Sequence, residues 1–229
     1  MEADDKGNLD MILAKLTSSC ESNLRVYQEN AAMYDEGLVR SGFCLPQKLI
    51  KLGLHHLSAT SKQEMDQLVA LDLLSGTGIV GVALKEAGFT GAIDAIDGSS
   101  EMNSIAELKN VYRKITQLVI FSDTTLPFDD DTYDVIICSG GLSIGHFPFE
   151  GIRELFRILK PGGIAVFNST HFISSDPQLL ALNAVADKLK ELRDEGKCKR
   201  IDEIKLDDAF SNRFRQHVTD YDILHCYSK

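Results

Sequence analysis

The run Leu68–Gly81, Leu-Val-Ala-Leu-Asp-Leu-Leu-Ser-Gly-Thr-Gly-Ile-Val-Gly, decides how the rest of the chain is read. Leu68 to Leu74 is an apolar stretch of strand length, interrupted by one acid, Asp72. Such a run, closed by turn residues, suits a strand buried on both faces. Ser75-Gly76-Thr77-Gly78 supplies the turn. Ile79 to Ala87 continues as a helix, and Gly88 stands just past its end, where a helix terminus favours glycine.

The same alternation repeats downstream. Ala92–Ile96 predicts a second strand ending in Asp97-Gly98-Ser99, followed by a helix over Glu101–Asn110. Gln117–Phe121 predicts a third strand and Tyr133–Cys138 a fourth, with a helix over Phe149–Leu159. Pro161-Gly162-Gly163 is a turn into a fifth strand, Ile164–Asn168, and Gln178–Arg193 is a helix. Strands near Cys198–Leu206 and Ile223–Tyr227 suit an antiparallel pair at one sheet edge. Strands separated by helices give an α/β fold: a doubly wound, mostly parallel sheet between two helical layers. Upstream the texture is polar and helical. Leu45, Leu49, Leu52 and His56 recur at amphipathic spacing. The division expected is an N-terminal helical extension, residues 1–65, and a main α/β domain, residues 66–229.

The chain has 229 residues, ordinary apolar content and a net charge of −10. That balance gives no general attraction for a phosphate backbone, so a nucleic-acid partner is not expected. Five cysteines at wide spacings, without a Cys-x-x-Cys pair, suit reduced thiols rather than zinc or a disulfide framework. The start, Met-Glu-Ala-Asp-Asp-Lys, has no signal-peptide pattern, and no apolar run approaches the ~20 residues of a membrane span. The expected location is the cytoplasm, with the nucleus as a second compartment, and no membrane partner. The Asp129-Asp130-Asp131 run reads as a solvated turn, not a metal site.

Open doubly wound sheets bind ligands beyond the C-terminal ends of their strands. Gly76, Gly78 and Gly81 form a literal Gly-x-Gly-x-x-Gly, whose glycines let a ligand approach the backbone closely. Asp97 follows Gly78 by 19 residues, a placement suited to accepting hydrogen bonds from a ribose. Asp72 near the turn and Asp123 after the third strand separate two cofactor classes. A carboxylate there suits the cationic amino group of a methionine moiety and suits a pyrophosphate poorly.

With these residues in hand, the chain resembles the class I S-adenosylmethionine-dependent methyltransferases. The segments LDLLSGTG, AIDGSS, SDTTLPFDDDTYDVIICSGGL and ELFRILKPGG are similar to that family's successive motifs, in its order, over Leu68 to Asn168. The resemblance implies a Rossmann-like, seven-stranded sheet and S-adenosylmethionine as cofactor, with S-adenosylhomocysteine as product. It implies that Asp72 and the turn Ser75, Gly76, Thr77 and Gly78 hold the methionine part. Asp97 would hold the ribose, with Gly98 and Ser99 beside it and Met102 against the adenine. Asp123 would take the adenine amino group, with Thr124 offering its backbone N–H. Ser139 and Gly140 would lie near the sulfonium, and Tyr34 on an N-terminal helix would cover the cofactor. Leu74 departs from the pattern, since many relatives place glycine there.

His146, after the fourth strand, is the candidate catalytic base; His171, after the fifth, is a weaker one. No Asn-Pro-Pro-Tyr-type segment follows the fourth strand, which argues against the amino-methylating branches acting on nucleic acids or glutamine. The acceptor expected is a small molecule, with a protein side chain as alternative. A nicotinamide-dependent oxidoreductase would explain the glycines but not Asp72, and it lacks a Tyr-x-x-x-Lys pair. A non-catalytic cofactor-binding protein of the same fold would accommodate Leu74.

Overall fold

A computed structural model describes residues 12, 15–143, 145–171, 184–206 and 221–229. Among the described residues, two long helices precede the sheet. α1, Cys20–Ser41, is capped by Ser19, whose side chain accepts from the Ser22 amide, and it ends at Gly42 in a left-handed conformation. α2, Leu45–Thr60, carries Pro46 in its first turn and buries Leu45, Leu49, Ile50, Leu52 and Leu57. His56, the last member of the amphipathic set, is half-buried and faces Asp202 at 3.3 Å.

The sheet strands are β1 Val69–Leu73, β2 Ala92–Asp97, β3 Lys114–Gln117, β4 Tyr133–Cys138, β5 Leu159–His171, β6 Lys199–Leu206 and β7 Tyr221–Ser228. Their spatial order is β3-β2-β1-β4-β5-β7-β6. The first five are parallel neighbours, and β7 runs antiparallel between β5 and β6. The helices between are α3 Ile79–Glu86, α4 Ser100–Leu108, α5 Ile152–Ile158 and α6 Ala184–Asp194. Residues 178–183 of the last predicted helix lie outside the described residues.

The period of two along each strand divides the core in two. Ala70, Val135, Ile137, Ile164 and Val166 pack with α2 and α3 on one face. Leu71, Leu73, Ile136, Ala165 and Phe167 pack with α5 and α6 on the other. Each fully buried Leu or Ile contributes roughly 1.5–3 kcal/mol. α2 comes very close to the sheet at Gly53, where a Cβ would sit 3.0 Å from Val166 Cγ2. Buried acids away from the strand ends are tied structurally. Arg113 forks onto Asp94 at 2.9 and 2.6 Å, and Asp134 binds the Val69 amide and Lys160.

Two strands shift furthest from their expected bounds, and the helix expected over Phe149–Leu159 is α-helical only over Ile152–Ile158. The third strand is Lys114–Gln117, not Gln117–Phe121. The apolar residues that suggested the later position serve a loop instead. Ile120 is buried, Val119 lies under Gly98, and Leu118 packs against the core and donates a last hydrogen bond to the Asp97 carbonyl. β5 begins at Leu159, before the Pro161-Gly162-Gly163 turn, which forms an irregularity in its pairing with β4. Of the acidic run, Asp130 pairs with Arg157 and Asp131 with Lys229.

Candidate functional site

The C-terminal ends of β1, β2 and β4 converge on one crevice, and α1 crosses it. Asp72 points from β1 toward the α3 side of the sheet and is 1% exposed. One carboxyl oxygen accepts from the Tyr112 hydroxyl at 2.5 Å; the other, Oδ1, is buried without a partner. Burial, only partly offset by Tyr112, pushes this carboxyl up to about 7, and the charge of Asp97 adds to the rise. Tyr112 in turn accepts from the Gly81 amide at 3.2 Å, and its ring occupies the space a side chain at Gly81 would need.

The turn after β1 bends through left-handed residues: Leu74 at φ 57°, Gly76 at 52° and Gly78 at 89°. At Leu74 this costs about 1–2 kcal/mol, which glycine would not incur. Gly141, on the loop after β4, accommodates the bulk; a Cβ there would meet Leu74 Cδ1 at 2.5 Å. A Cβ at Gly76 or Gly140 would meet nothing within 4 Å, so both glycines border open space. The Ser75 and Ser139 hydroxyl oxygens are buried without partners.

Asp97 closes the second side. Its carboxylate accepts from the Gly76 amide at 2.8 Å and the Ser99 amide at 2.9 Å, which joins the β2 end to the glycine turn. Burial raises its pKa against the lowering effect of these amides and that of Gly98. Ser99 caps α4 through the Met102 amide, and Met102 is buried. Asp123 and Thr124, the residues expected at an adenine, are placed differently. Asp123 is exposed in a turn, and the Thr124 amide bonds back to the Phe121 carbonyl at 3.0 Å. Gly140 donates its amide to Asn168 Oδ1 at 2.7 Å.

From α1, Tyr34 faces this group; burial and then the charges of Asp97 and Asp35 push its phenol up to about 12. Beside it, Asp35 accepts from the Thr77 hydroxyl and from Lys109 at 2.6 Å. Tyr27, two turns earlier on the helix, reaches His146. The side chain of His171 lies outside the described residues. Sequence reasoning missed Tyr27, Asp35, Lys109, Tyr112 and Asn168. Tyr27 had a signal, its seven-residue spacing from Tyr34 on one helix face. Tyr112 had none, being a loop residue outside any pattern.

Asp72, the glycine turn, Asp97, Tyr34, Ser139 and Gly140 are thus brought together; Asp123 stands at the rim. Three buried polar atoms without partners, with open space beside two glycines, fit a polar ligand that carries a cationic end. Among the described residues no group of three or more His, Cys, Asp or Glu could hold a metal, and no helix is long and apolar enough to cross a membrane.

Comparisons with known proteins agree with this geometry. Residues 71–167 match the family described as a methyltransferase domain. The chain is 26% identical over 196 residues to methyltransferase-like protein 27 of Homo sapiens, covering 83% of this chain and 77% of that protein. It is 34% identical over 137 residues to demethylmenaquinone methyltransferase of Clavibacter sepedonicus, covering 58% of this chain and 54% of that one, about half its length. In structure it resembles geranyl diphosphate C-methyltransferase of Streptomyces coelicolor, solved with Mg2+, geranyl diphosphate and S-adenosylhomocysteine. The TM-score is 0.59 at 14% identity, over 86% of this chain and 84% of the other, a likeness of fold alone.

Proposed function

We propose, from the premise that this chain belongs to the class I S-adenosylmethionine-dependent methyltransferases, that it methylates a small-molecule acceptor in the crevice beneath α1. The observation that carries the reading is Asp72: a carboxylate buried at the foot of the glycine turn, with one oxygen unpartnered. A cationic amino group there would supply the missing partner and hold the carboxyl ionised. Asp97 would accept from the ribose hydroxyls while the Gly76 and Ser99 amides hold it in place. Ser139 and Gly140 would border the reacting carbon, and Tyr34 would cover the nucleoside. Gly98, Ser99 and Met102 would line the base, with Asp123 and Thr124 at its outer edge.

When bound, S-adenosylmethionine supplies a methyl group made electrophilic by its sulfonium. The chain's own residues bind, align and exclude water. Alignment alone can contribute roughly 7–11 kcal/mol of barrier reduction. The division into a helical cover, residues 1–65, and a transferase body, residues 66–229, belongs to the same proposal, with α1 as the covering part. The cytoplasm, with access to the nucleus, is the proposed compartment; the five free thiols support it. The net charge of −10 supports an acceptor other than nucleic acid.

Titration calorimetry with S-adenosylmethionine and S-adenosylhomocysteine tests the reading. Heat with both is expected, and silence with both at high micromolar concentration would overturn it. Labelled methyl donor with the small-molecule fraction of a cell extract then identifies the acceptor. A second reading, a cofactor-binding protein without transferase activity, is favoured by Leu74 at its left-handed position. It expects binding without label transfer to small-molecule or protein fractions.

A further inference from the structure

His146 is held between α1 and the loop after β4. Its Nδ1 lies 3.0 Å from Ser143 Oγ, and its Nε2 lies 2.7 Å from the Tyr27 hydroxyl. The Tyr27 and His146 rings meet edge to face at 5.5 Å, and Tyr27 and Tyr34 do so at 5.7 Å. Asn23, one turn before Tyr27, donates to the Gly145 carbonyl at 3.0 Å and to the Thr17 carbonyl at 2.8 Å. Gly145 is left-handed at φ 74°, and any side chain there would collide with Asn23 and Thr17. The loop and the helix are therefore locked in register, and the phenol–imidazole contact is positioned rather than incidental.

Tyr27 holds its proton. Burial, then Tyr34, then Asp97 push its phenol well above the ordinary value. A neutral phenol can accept one hydrogen bond while donating another. Placed against an imidazole nitrogen, it can pass a proton on without itself becoming charged. Among the described residues, Tyr34 from α1, Asp97 from the end of β2 and Ser143 from the same loop face this pair. Asp97 is the acid of this set, and its charge helps to keep the Tyr27 phenol protonated.

We propose that Tyr27 and His146 form a proton relay for an acceptor bearing a hydroxyl group, with Tyr27 touching the acceptor and Ser143 as the positioning residue. The inference rests on the methyltransferase reading. As the acceptor oxygen bonds to the methyl carbon, the carbon–sulfur bond breaks and its electron pair returns to sulfur. The acceptor's proton passes to the Tyr27 oxygen, and the Tyr27 proton passes to His146 Nε2. The positive charge that began on sulfur ends on the imidazolium, so charge and atoms balance. The relay requires His146 to start with Nε2 bare and Nδ1–H donating to Ser143 Oγ.

The test uses the full chain labelled with 15N-histidine and saturated with S-adenosylhomocysteine. His146 is assigned among the six histidines by loss of its signals in His146→Gln. The expected spectrum has Nε2 unprotonated and Nδ1 protonated, and Ser143→Ala shifts the balance toward Nε2–H. Tyr27→Phe, which removes one oxygen, is expected to bind S-adenosylhomocysteine within about threefold of the wild type. Its transfer of labelled methyl to hydroxyl acceptors should fall by about 100-fold or more, the usual contribution of general-base catalysis. A wild-type Nε2 that carries the proton overturns the relay, as does a Tyr27→Phe variant with an unchanged transfer rate. A loss of more than tenfold in S-adenosylhomocysteine affinity in that variant makes Tyr27 a cofactor contact and also overturns it. Failure of the wild type to bind S-adenosylhomocysteine overturns the methyltransferase reading instead.

Discussion

Asp72 and Asp123 both follow from the same motif order, yet the fold treats them as opposites. Asp72 is sealed behind the glycine turn, bonded to Tyr112 and forced up to about 7; Asp123 stands in solvent at the rim. The difference shows where binding energy can come from. A charge interaction at a desolvated carboxylate is strong because water cannot compete for it. The same interaction at an exposed turn is worth about 0–1 kcal/mol. The methionine and ribose end should therefore dominate affinity, and the adenine end should tune it.

Asp97→Ala is expected to be the most damaging change. It removes the proposed ribose acceptor and strands the Gly76 and Ser99 amides, each at a cost of about 1–3 kcal/mol if left unsatisfied. Calorimetry should show S-adenosylhomocysteine affinity down at least about 100-fold, and thermal melting should show a less stable fold. Unchanged affinity in a folded variant would make Asp97 structural and break the contrast.

Asp72→Asn separates binding from folding. The carboxyl is easier to ionise in the unfolded chain, near 3.8, than in the folded one, near 7. Folding is therefore favoured below about pH 4, and that advantage is lost as pH rises through about 7. The asparagine variant should be more stable than the wild type at pH 8 by more than about 1 kcal/mol and nearly equal at pH 4, by denaturant titration. Its affinity for S-adenosylmethionine should fall about tenfold or more at pH 8, and the wild type's rise in affinity between pH 6 and 8 should vanish. A variant that is less stable at pH 8 would show Asp72 already ionised in the free protein.

Leu74 and Gly141 form a smaller, coupled pair. Gly141→Ala should destabilise by about 1–3 kcal/mol through the clash with Leu74 and with Cys138 Sγ. Leu74→Gly relieves backbone strain but loses packing, so its own effect should stay within about 1 kcal/mol. The double variant should recover part of the Gly141→Ala loss; strict additivity would show that the two do not touch. Smallest of all, Asp123→Ala should change cofactor affinity by no more than about threefold. A tenfold loss would mean that Asp123 is buried against the ligand.

The same contrast explains what could be read beforehand. β1, β2 and β4 were legible because strands buried on both faces leave long apolar runs, and their acids were legible because they interrupt or end those runs. The third strand was displaced by three residues because its short edge position makes Lys114–Gln117 half-exposed, while the apolar residues beyond it plug a loop. Tyr112, Asp35 and Asn168 were hidden for a different reason. Each acts through long-range hydrogen bonds, and no local period encodes such bonds. Leu74 was visible as an anomaly, but its counterpart Gly141 shows only when the two loops face each other.

Asp35 has a kinetic meaning. One carboxylate staples α1 both to Thr77 in the turn after β1 and to Lys109 at the end of α4. A nucleoside bound beneath α1, as proposed, would have to displace both attachments on its way in or out. Association should therefore be slower than free encounter, release slower still, and the turnover rate set by how often this fastener comes undone rather than by the displacement at carbon.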